Sequence, residues 1–492
     1  MLITLSTALL ATALGAAPGD TLHLGNLDFT PCELKQTHSA ATTAAYCAPF
    51  RVPENWDAPD GRKIDLHLAI IKSDASRAEP DPIVLLAGGP GQAATEVYPQ
   101  TAGALAPLKR HRHIVLLDQR GTGNSNKLSC RSEKKEEEAV LSQDDATDLD
   151  RARHDTAECA KQLADKADLR YYTTSDAARD LEALRLALGG VQYNLIGVSY
   201  GTRMGQRYTQ RYPKSVRSLV IDGVVPNEMI LGQNFATDLD SALKAQFARC
   251  TADKACKEHF GDVYKSLYDV RTKLAATPQK LTIRDPLSFE PVERSLSADG
   301  FSAVVRMYAY SPETAAMLPL GIGETAKGNL APLLGQIKLL SGDLRESITG
   351  GMELSVICAE DADLLQERPE DKALILGDEF VRIIKAQCEV WPKGKRSDDF
   401  HAPLKTDVPV LALSGEFDPV TPPRYGDQVI KGASHGRHLV APGQGHNVFG
   451  RGCMPKLMRQ FVENLQPDKL DAGCLAELGP TPFFLDFNGA SP

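Results

Sequence analysis

The chain has 492 residues, 42% of them hydrophobic and 24% charged, which are the proportions of a soluble globular protein. Its formal net charge of −9 offers no basic face with which to grip DNA or RNA. The length exceeds what one hydrophobic core usually covers, so a core domain carrying a large insertion is expected.

Residues 1–17 are apolar and small, and they end in Gly15-Ala16-Ala17 before Pro18-Gly19. The stretch is too short to span a bilayer comfortably and has the form of a signal peptide, although the only positive charge ahead of it is the terminal amine. Export to the periplasm or beyond is therefore expected, with no stable membrane insertion. The ten cysteines agree with export. They fall into sequential couples, and nearest-neighbour pairing predicts Cys32–Cys47, Cys130–Cys159, Cys250–Cys256, Cys358–Cys388 and Cys453–Cys474 as disulfides. No metal-ligand spacing is present, and neither a metal nor an organic cofactor is expected.

After an irregular stretch over 20–60, Ile64 to Ile71 alternates apolar and polar residues as a half-buried strand does. Short apolar runs follow at Ile83–Leu86, Ile114–Leu117, Tyr193–Val198, Ser218–Ile221, Pro409–Leu413 and Arg437–Val440. Runs of this kind, bounded by turn residues, suit strands buried on both faces. Helical periodicity lies between several of them, as at Thr174–Leu188, where Ser175 is the expected N-cap. Alternation of strand and helix predicts an α/β fold with a mostly parallel sheet flanked by helices. The pattern breaks between 226 and 401, which reads as helices and loops. The expected organisation is a core over 18–225, a mainly helical cap over 226–401, and the rest of the core over 402–492. The charge-dense segment from Glu133 to Asp155 reads as a solvated helix face.

The chemistry centres on Gly197-Val198-Ser199-Tyr200-Gly201, which follows a strand and precedes a helix. A nucleophile elbow needs that order, because the turn is too tight for side chains at the flanking glycines. A second match, Gly432-Ala433-Ser434-His435-Gly436, lies in the reverse context and reads as a surface loop. A serine hydroxyl needs a base, and the base needs an acid, in the chain order Ser, Asp or Glu, His. Asp418 is the candidate acid, with Glu416 its rival, in the turn after the strand at 409–413. His446 is the candidate base, with His435 and His438 as alternatives. The oxyanion donors are expected at the Tyr200 amide and in Gly88-Gly89-Pro90-Gly91, with Gly89 favoured over Gly88.

Taken together, Ala-Gly-Gly-Pro-Gly at 87–91, Asp118-Gln-Arg-Gly-Thr-Gly-Asn-Ser125, Gly197-Val-Ser-Tyr-Gly-Thr202 and Gly415-Glu-Phe-Asp-Pro-Val-Thr-Pro422 resemble the prolyl aminopeptidase and tripeptidyl aminopeptidase branch of the α/β-hydrolases. Cys47-Ala-Pro-Phe-Arg-Val-Pro53 is similar to the secreted tripeptidyl members. The resemblance implies the α/β-hydrolase fold and a serine exopeptidase whose partner is a peptide with a free N-terminus. Ala87 stands where the prolyl branch usually has His, which speaks against single-proline specificity. The family reads the substrate amine with acidic cap side chains, and Glu360 and Asp361 are the candidates for that role. Asp118 and Arg120 are expected to hold their loop by hydrogen bonds. Two other functions fit the same motifs: an esterase or lipase-like hydrolase of small acyl substrates, and a non-catalytic binding protein on this fold.

Overall fold

The computed structural model describes residues 21–35, 42–130, 145–284, 288–334 and 348–490. The signal-peptide reading over 1–17 lies outside these residues, as does the first part of the charge-dense segment.

Ten strands form one sheet. They are β1 (Leu22–Leu24), β2 (Leu27–Lys35), β3 (Thr42–Pro53), β4 (Lys63–Ile71), β5 (Ile83–Leu86), β6 (Ile114–Leu117), β7 (Tyr193–Val198), β8 (Val216–Asp222), β11 (Val410–Gly415) and β12 (Gly436–Ala441), in the order β1-β2-β3-β4-β6-β5-β7-β8-β11-β12. From β6 to β12 all pairs are parallel, whereas β1 to β4 run antiparallel and join the rest where β4 pairs with β6. The identical runs Ile-Val-Leu-Leu in β5 and β6 align Ile83 with Ile114 and Leu85 with Leu116. Their side chains are buried on both faces, as continuous apolar strands require.

Residues 20–60 are therefore not irregular. Pro31, Pro49 and Pro53 and the charged residues between them obscure the period-two pattern, yet β2 and β3 pair over Thr30–Lys35 and Thr42–Cys47. Antiparallel strands with one wetter face tolerate such residues better than the central parallel ones do.

Helices cover both faces of the sheet. On one side α1 (Ala94–Lys109) buries Tyr98, Leu105 and Leu108 against Leu457, Met458 and Phe461 near the C-terminus. Next in the chain is α2 (Asp145–Leu163), which contains the described part of the charge-dense segment. On the opposite face lie α3 (Thr174–Ala187) and α4 (Tyr200–Arg211), with Leu181, Leu184, Met204 and Tyr208 in one cluster. The N-cap of α3 is Thr173 rather than Ser175: the Thr173 hydroxyl accepts from the Asp176 amide, two residues earlier than expected.

Between β8 and β11 the chain leaves the sheet. It forms α5 (Phe235–Ala252), α6 (Lys254–Phe260), α7 (Val263–Ala276), the hairpin β9 (Gln279–Arg284) and β10 (Pro291–Leu296), α8 (Ala298–Ala309), α9 (Pro312–Ala315), α10 (Leu318–Ala326), α11 (Gly350–Glu360) and α12 (Glu379–Val390). Leu243, Phe247, Leu267, Phe301 and Val305 give this excursion its own apolar cluster. The hairpin is an addition to the helices and loops read from sequence. Five disulfides join Cys32 to Cys47, Cys130 to Cys159, Cys250 to Cys256, Cys358 to Cys388 and Cys453 to Cys474. Among the described residues no helix is long and apolar enough to cross a membrane.

Candidate active site

Ser199 occupies the turn between β7 and α4 with φ 54° and ψ −123°, a left-handed conformation that is strained for a residue with a side chain. The flanking glycines permit it. A Cβ on Gly197 would come 2.4 Å from the Gly201 carbonyl oxygen, and one on Gly201 would come 2.1 Å from that of Leu86. α4 begins at Tyr200, whose amide is therefore among the first-turn donors without a partner inside the helix. The glycine turn at 88–91 stands against this elbow, since a Cβ on Gly88 would lie 3.1 Å from the Ser199 Cβ. Gly89 in that turn has φ 102°, accessible to glycine at little cost.

Asp418 follows β11 and His446 follows β12, so both lie at the carboxyl edge of the parallel sheet, where Ser199 also lies. Asp418 Oδ2 meets His446 Nδ1 at 2.7 Å. The other carboxylate oxygen accepts the Val420 and Thr421 amides at 2.9 and 2.8 Å, and the Thr421 hydroxyl donates to Oδ2 at 2.8 Å. Burial pushes the Asp418 carboxyl up, but the imidazole and these hydrogen bonds outweigh it and hold the group below the ordinary carboxylate range. Burial likewise pushes the imidazole down, whereas Asp418, helped by Asp222, carries it above its ordinary value. A histidine bonded through Nδ1 to a carboxylate presents Nε2 for proton transfer.

The alternatives lie elsewhere. Glu416 accepts the Gly443 amide and so braces the turn before His446. His438 is held by Asp427 and Ser414, and Ser434 and His435 are exposed on the turn before β12.

Glu360 and Asp361, the amine-binding candidates, are turned inward. The Thr174 amide and hydroxyl donate to Glu360 at 2.6 and 2.9 Å, and burial pushes its carboxyl up to about 8. Asp361 pairs with Arg203 at 2.7 Å, both side chains being fully buried. These carboxylates tie α11 to α3 and α4. A local sequence window could not reveal this, because their partners lie more than 150 positions away. Asp118 and Arg120 hold their loop: Asp118 accepts from Thr95 and Asn124, and Arg120 pairs with Asp180 at 2.6 Å.

Four further residues belong to the site. Asp222, at the end of β8, accepts the Ser199 amide on its backbone oxygen at 2.8 Å, and its buried carboxylate accepts the Val448 and Phe449 amides at 2.7 and 2.9 Å. A charged residue closing an apolar strand was a visible signal for it. Tyr310, at the C-terminal end of α8, accepts the His446 amide at 2.8 Å, and its ring stands edge-on to the imidazole at 5.3 Å. Arg306 on α8 is within electrostatic reach of both His446 and Glu353 on α11. Both are half-buried, and neither has a hydrogen bond or ion pair among the described residues. Burial against the pull of Arg306 raises the Glu353 carboxyl to about 7.

Comparison with known proteins agrees with this architecture. Residues 81–256 match a family described as alpha/beta hydrolase fold, and 375–474 match one described as TAP-like protein. Serine protease Hip1 of Mycobacterium tuberculosis is 25% identical over 89% of this chain and 88% of its own length. Tripeptidyl aminopeptidase of Streptomyces lividans is 27% identical over 48% of this chain and 46% of its own. A probable proline iminopeptidase of Streptomyces coelicolor is 34% identical over 29% of this chain and 32% of its own. With a mostly parallel sheet, a serine elbow and a TAP-like C-terminal region, the chain has the α/β-hydrolase fold and is similar to these peptidases.

Proposed function

We propose that this chain is an exported serine aminopeptidase that releases residues or short peptides from a free N-terminus through an acyl-enzyme. The observation that carries the reading is the Asp418–His446 pair at 2.7 Å, assembled at the sheet edge that presents Ser199. In this reading His446 takes the Ser199 proton, Ser199 attacks the carbonyl, and the amides of Gly89 and Tyr200 receive the developing oxyanion. His446 then protonates the departing amine, and water releases the acyl group. No cofactor enters the scheme.

The substrate ammonium is assigned to Glu353 instead of Glu360 and Asp361. Among the described residues its carboxylate has no hydrogen bond or ion pair, and because burial disfavours its charge it gains from a cationic partner. The Thr349 amide donates to the Gly91 carbonyl at 3.0 Å, which docks α11 on the glycine turn and sets Glu353 one helical turn away. Export is supported by the five disulfides, which persist in oxidising compartments, and by the apolar N-terminal stretch. The division into a core over 18–225 and 402–492 with a cap over 226–401 is supported by the separate apolar cluster of the excursion.

A panel of aminoacyl and tripeptidyl amides, their amine-blocked counterparts and simple esters tests the reading. Cleavage of the free-amine substrates with at least about a thousandfold loss in Ser199→Ala is expected. Equal turnover of blocked and free amines would replace it with an esterase-like hydrolase, and failure to react with a fluorophosphonate probe would leave a binding protein.

A further inference from the structure

Two cap helices bring opposite charges to the two sides of the elbow. On α11, Thr349 touches the glycine turn and Glu353 follows at i+4. On α8, Arg306 precedes Tyr310 at i+4, and Tyr310 touches His446. Residues four apart share a helix face, so Glu353 stands on the oxyanion side and Arg306 on the histidine side. Histidine delivers its proton to the leaving amine, which places the departing peptide on the side of Arg306.

Among the described residues the Arg306 guanidinium is held without an anion. Its Cζ lies 4.5 Å from the Phe235 ring centroid and 5.6 Å from that of Phe380, and the two rings pack against each other at 5.1 Å. Stacking of this kind fixes the planar fork but does not neutralise it. Arg306 is within electrostatic reach of both Glu353 and His446, yet it forms an ion pair with neither Glu353 nor any other described residue. A guanidinium stays charged at any working pH, and leaving it half-buried with no anion among the described residues is costly unless a ligand supplies one.

We propose that Arg306 is a carboxylate-binding subsite on the leaving-group side of the cleft, taking an acidic side chain or the C-terminal carboxylate of the departing peptide. This rests on the peptidase reading above. The rigid, forked donor pair suits a carboxylate's two oxygens better than a single carbonyl.

The test uses three peptides that share one N-terminal sequence. The first has a neutral, C-terminally amidated leaving part; the second adds an Asp to that part and keeps the amide; the third is neutral with a free C-terminal carboxylate. For the wild-type enzyme, kcat/KM for at least one of the charged peptides should exceed that for the neutral one about 10- to 100-fold, and which one does so identifies the source of the anion. Arg306→Gln should bring that ratio close to one, Arg306→Lys should restore part of it, and Arg306→Glu should invert it. Because the readout is a ratio within each variant, a general loss of activity does not mimic it. A wild-type ratio near one, or a ratio untouched by Arg306→Gln, overturns the subsite while leaving the peptidase reading in place. A wild-type enzyme that cleaves none of the three overturns both.

Discussion

The backbone oxygen of Asp222 accepts the amide hydrogen of Ser199 at 2.8 Å. The same residue accepts two amides of the histidine loop with its carboxylate, at Val448 and Phe449. Next to it, Gly223 runs beneath the imidazole so closely that a Cβ there would come 2.8 Å from His446 Cε1. One dipeptide thus sets the spacing between Ser199 and His446, the proposed nucleophile and base. Asp222→Ala leaves two buried amides without acceptors, at about 1–3 kcal/mol each, and is expected to lower both stability and kcat. Asp222→Asn keeps an acceptor and should retain most of the stability. Thermal unfolding alongside kcat separates the two effects; an Asp222→Ala protein with unchanged values of both would refute the role.

Charge on Asp222 also bears on pH dependence. Burial pushes its carboxyl up to about 6, opposed by the Val448 and Phe449 amides. The groups acting on His446 are Asp418 and Asp222, which raise it, and Arg306, which lowers it. In the proposed mechanism His446 acts as a neutral imidazole, so kcat/KM should fall with acid along a limb centred above 6.5, the ordinary histidine value. Asp222→Asn removes one raising influence and should move that limb to lower pH. A limb that does not move in this variant would show that the carboxylate is not ionised when the enzyme works.

Glu353 adds a second titration that depends on the substrate. With its carboxyl near 7, protonation below that pH removes the charge that would hold an ammonium. For free-amine substrates KM should rise as pH falls through 7, whereas for an uncharged ester it should not. Glu353→Gln should raise KM for free-amine substrates about 10- to 100-fold and flatten this difference. Steady-state kinetics on one substrate of each kind at several pH values is the measurement.

The Asp361–Arg203 pair should behave differently from Glu353. Both side chains are fully buried, so Asp361→Ala leaves an uncompensated guanidinium and should cost about 3–5 kcal/mol of stability. Denaturant unfolding of this variant beside Glu353→Gln should show a large loss in the first and little in the second. The opposite pattern would return the amine-binding role to Asp361.

The bridge from Cys358 to Cys388 spans 30 positions and joins the helix that carries Glu353 to α12. Loop-closure entropy puts its contribution at about 3–4 kcal/mol. Replacing both cysteines with alanine should lower the unfolding temperature and raise KM for free-amine substrates before it affects ester turnover. Equal stability with and without the bridge would mean that packing alone holds the pair of helices.

Much of the central sheet could be read from the chain because its strands are short apolar runs ended by glycine, aspartate or proline. The placement of Ser199, Asp418 and His446 at the carboxyl edge of the sheet was legible for the same reason: each lies just past such a run, and the glycines around Ser199 answer a local steric demand. The antiparallel strands before Lys63 were not legible, since proline and charge interrupt their alternation without preventing pairing. Arg306 and Glu353 were invisible for a deeper reason. A helix from one part of the excursion and a helix from another bring them within electrostatic reach of each other, and nothing within either helix announces that meeting. Glu360 and Asp361 misled because adjacent acids beside a cysteine look exposed, whereas Thr174 and Arg203 draw them inside.

The hydrogen bond from His446 to Tyr310 means that roof and base are a single piece. Were α8 to swing away to admit a bulky guest, the loop bearing the imidazole would lose an anchor at the moment it was needed. A compound wedged between Tyr310 and the imidazole would silence the enzyme without ever touching the serine.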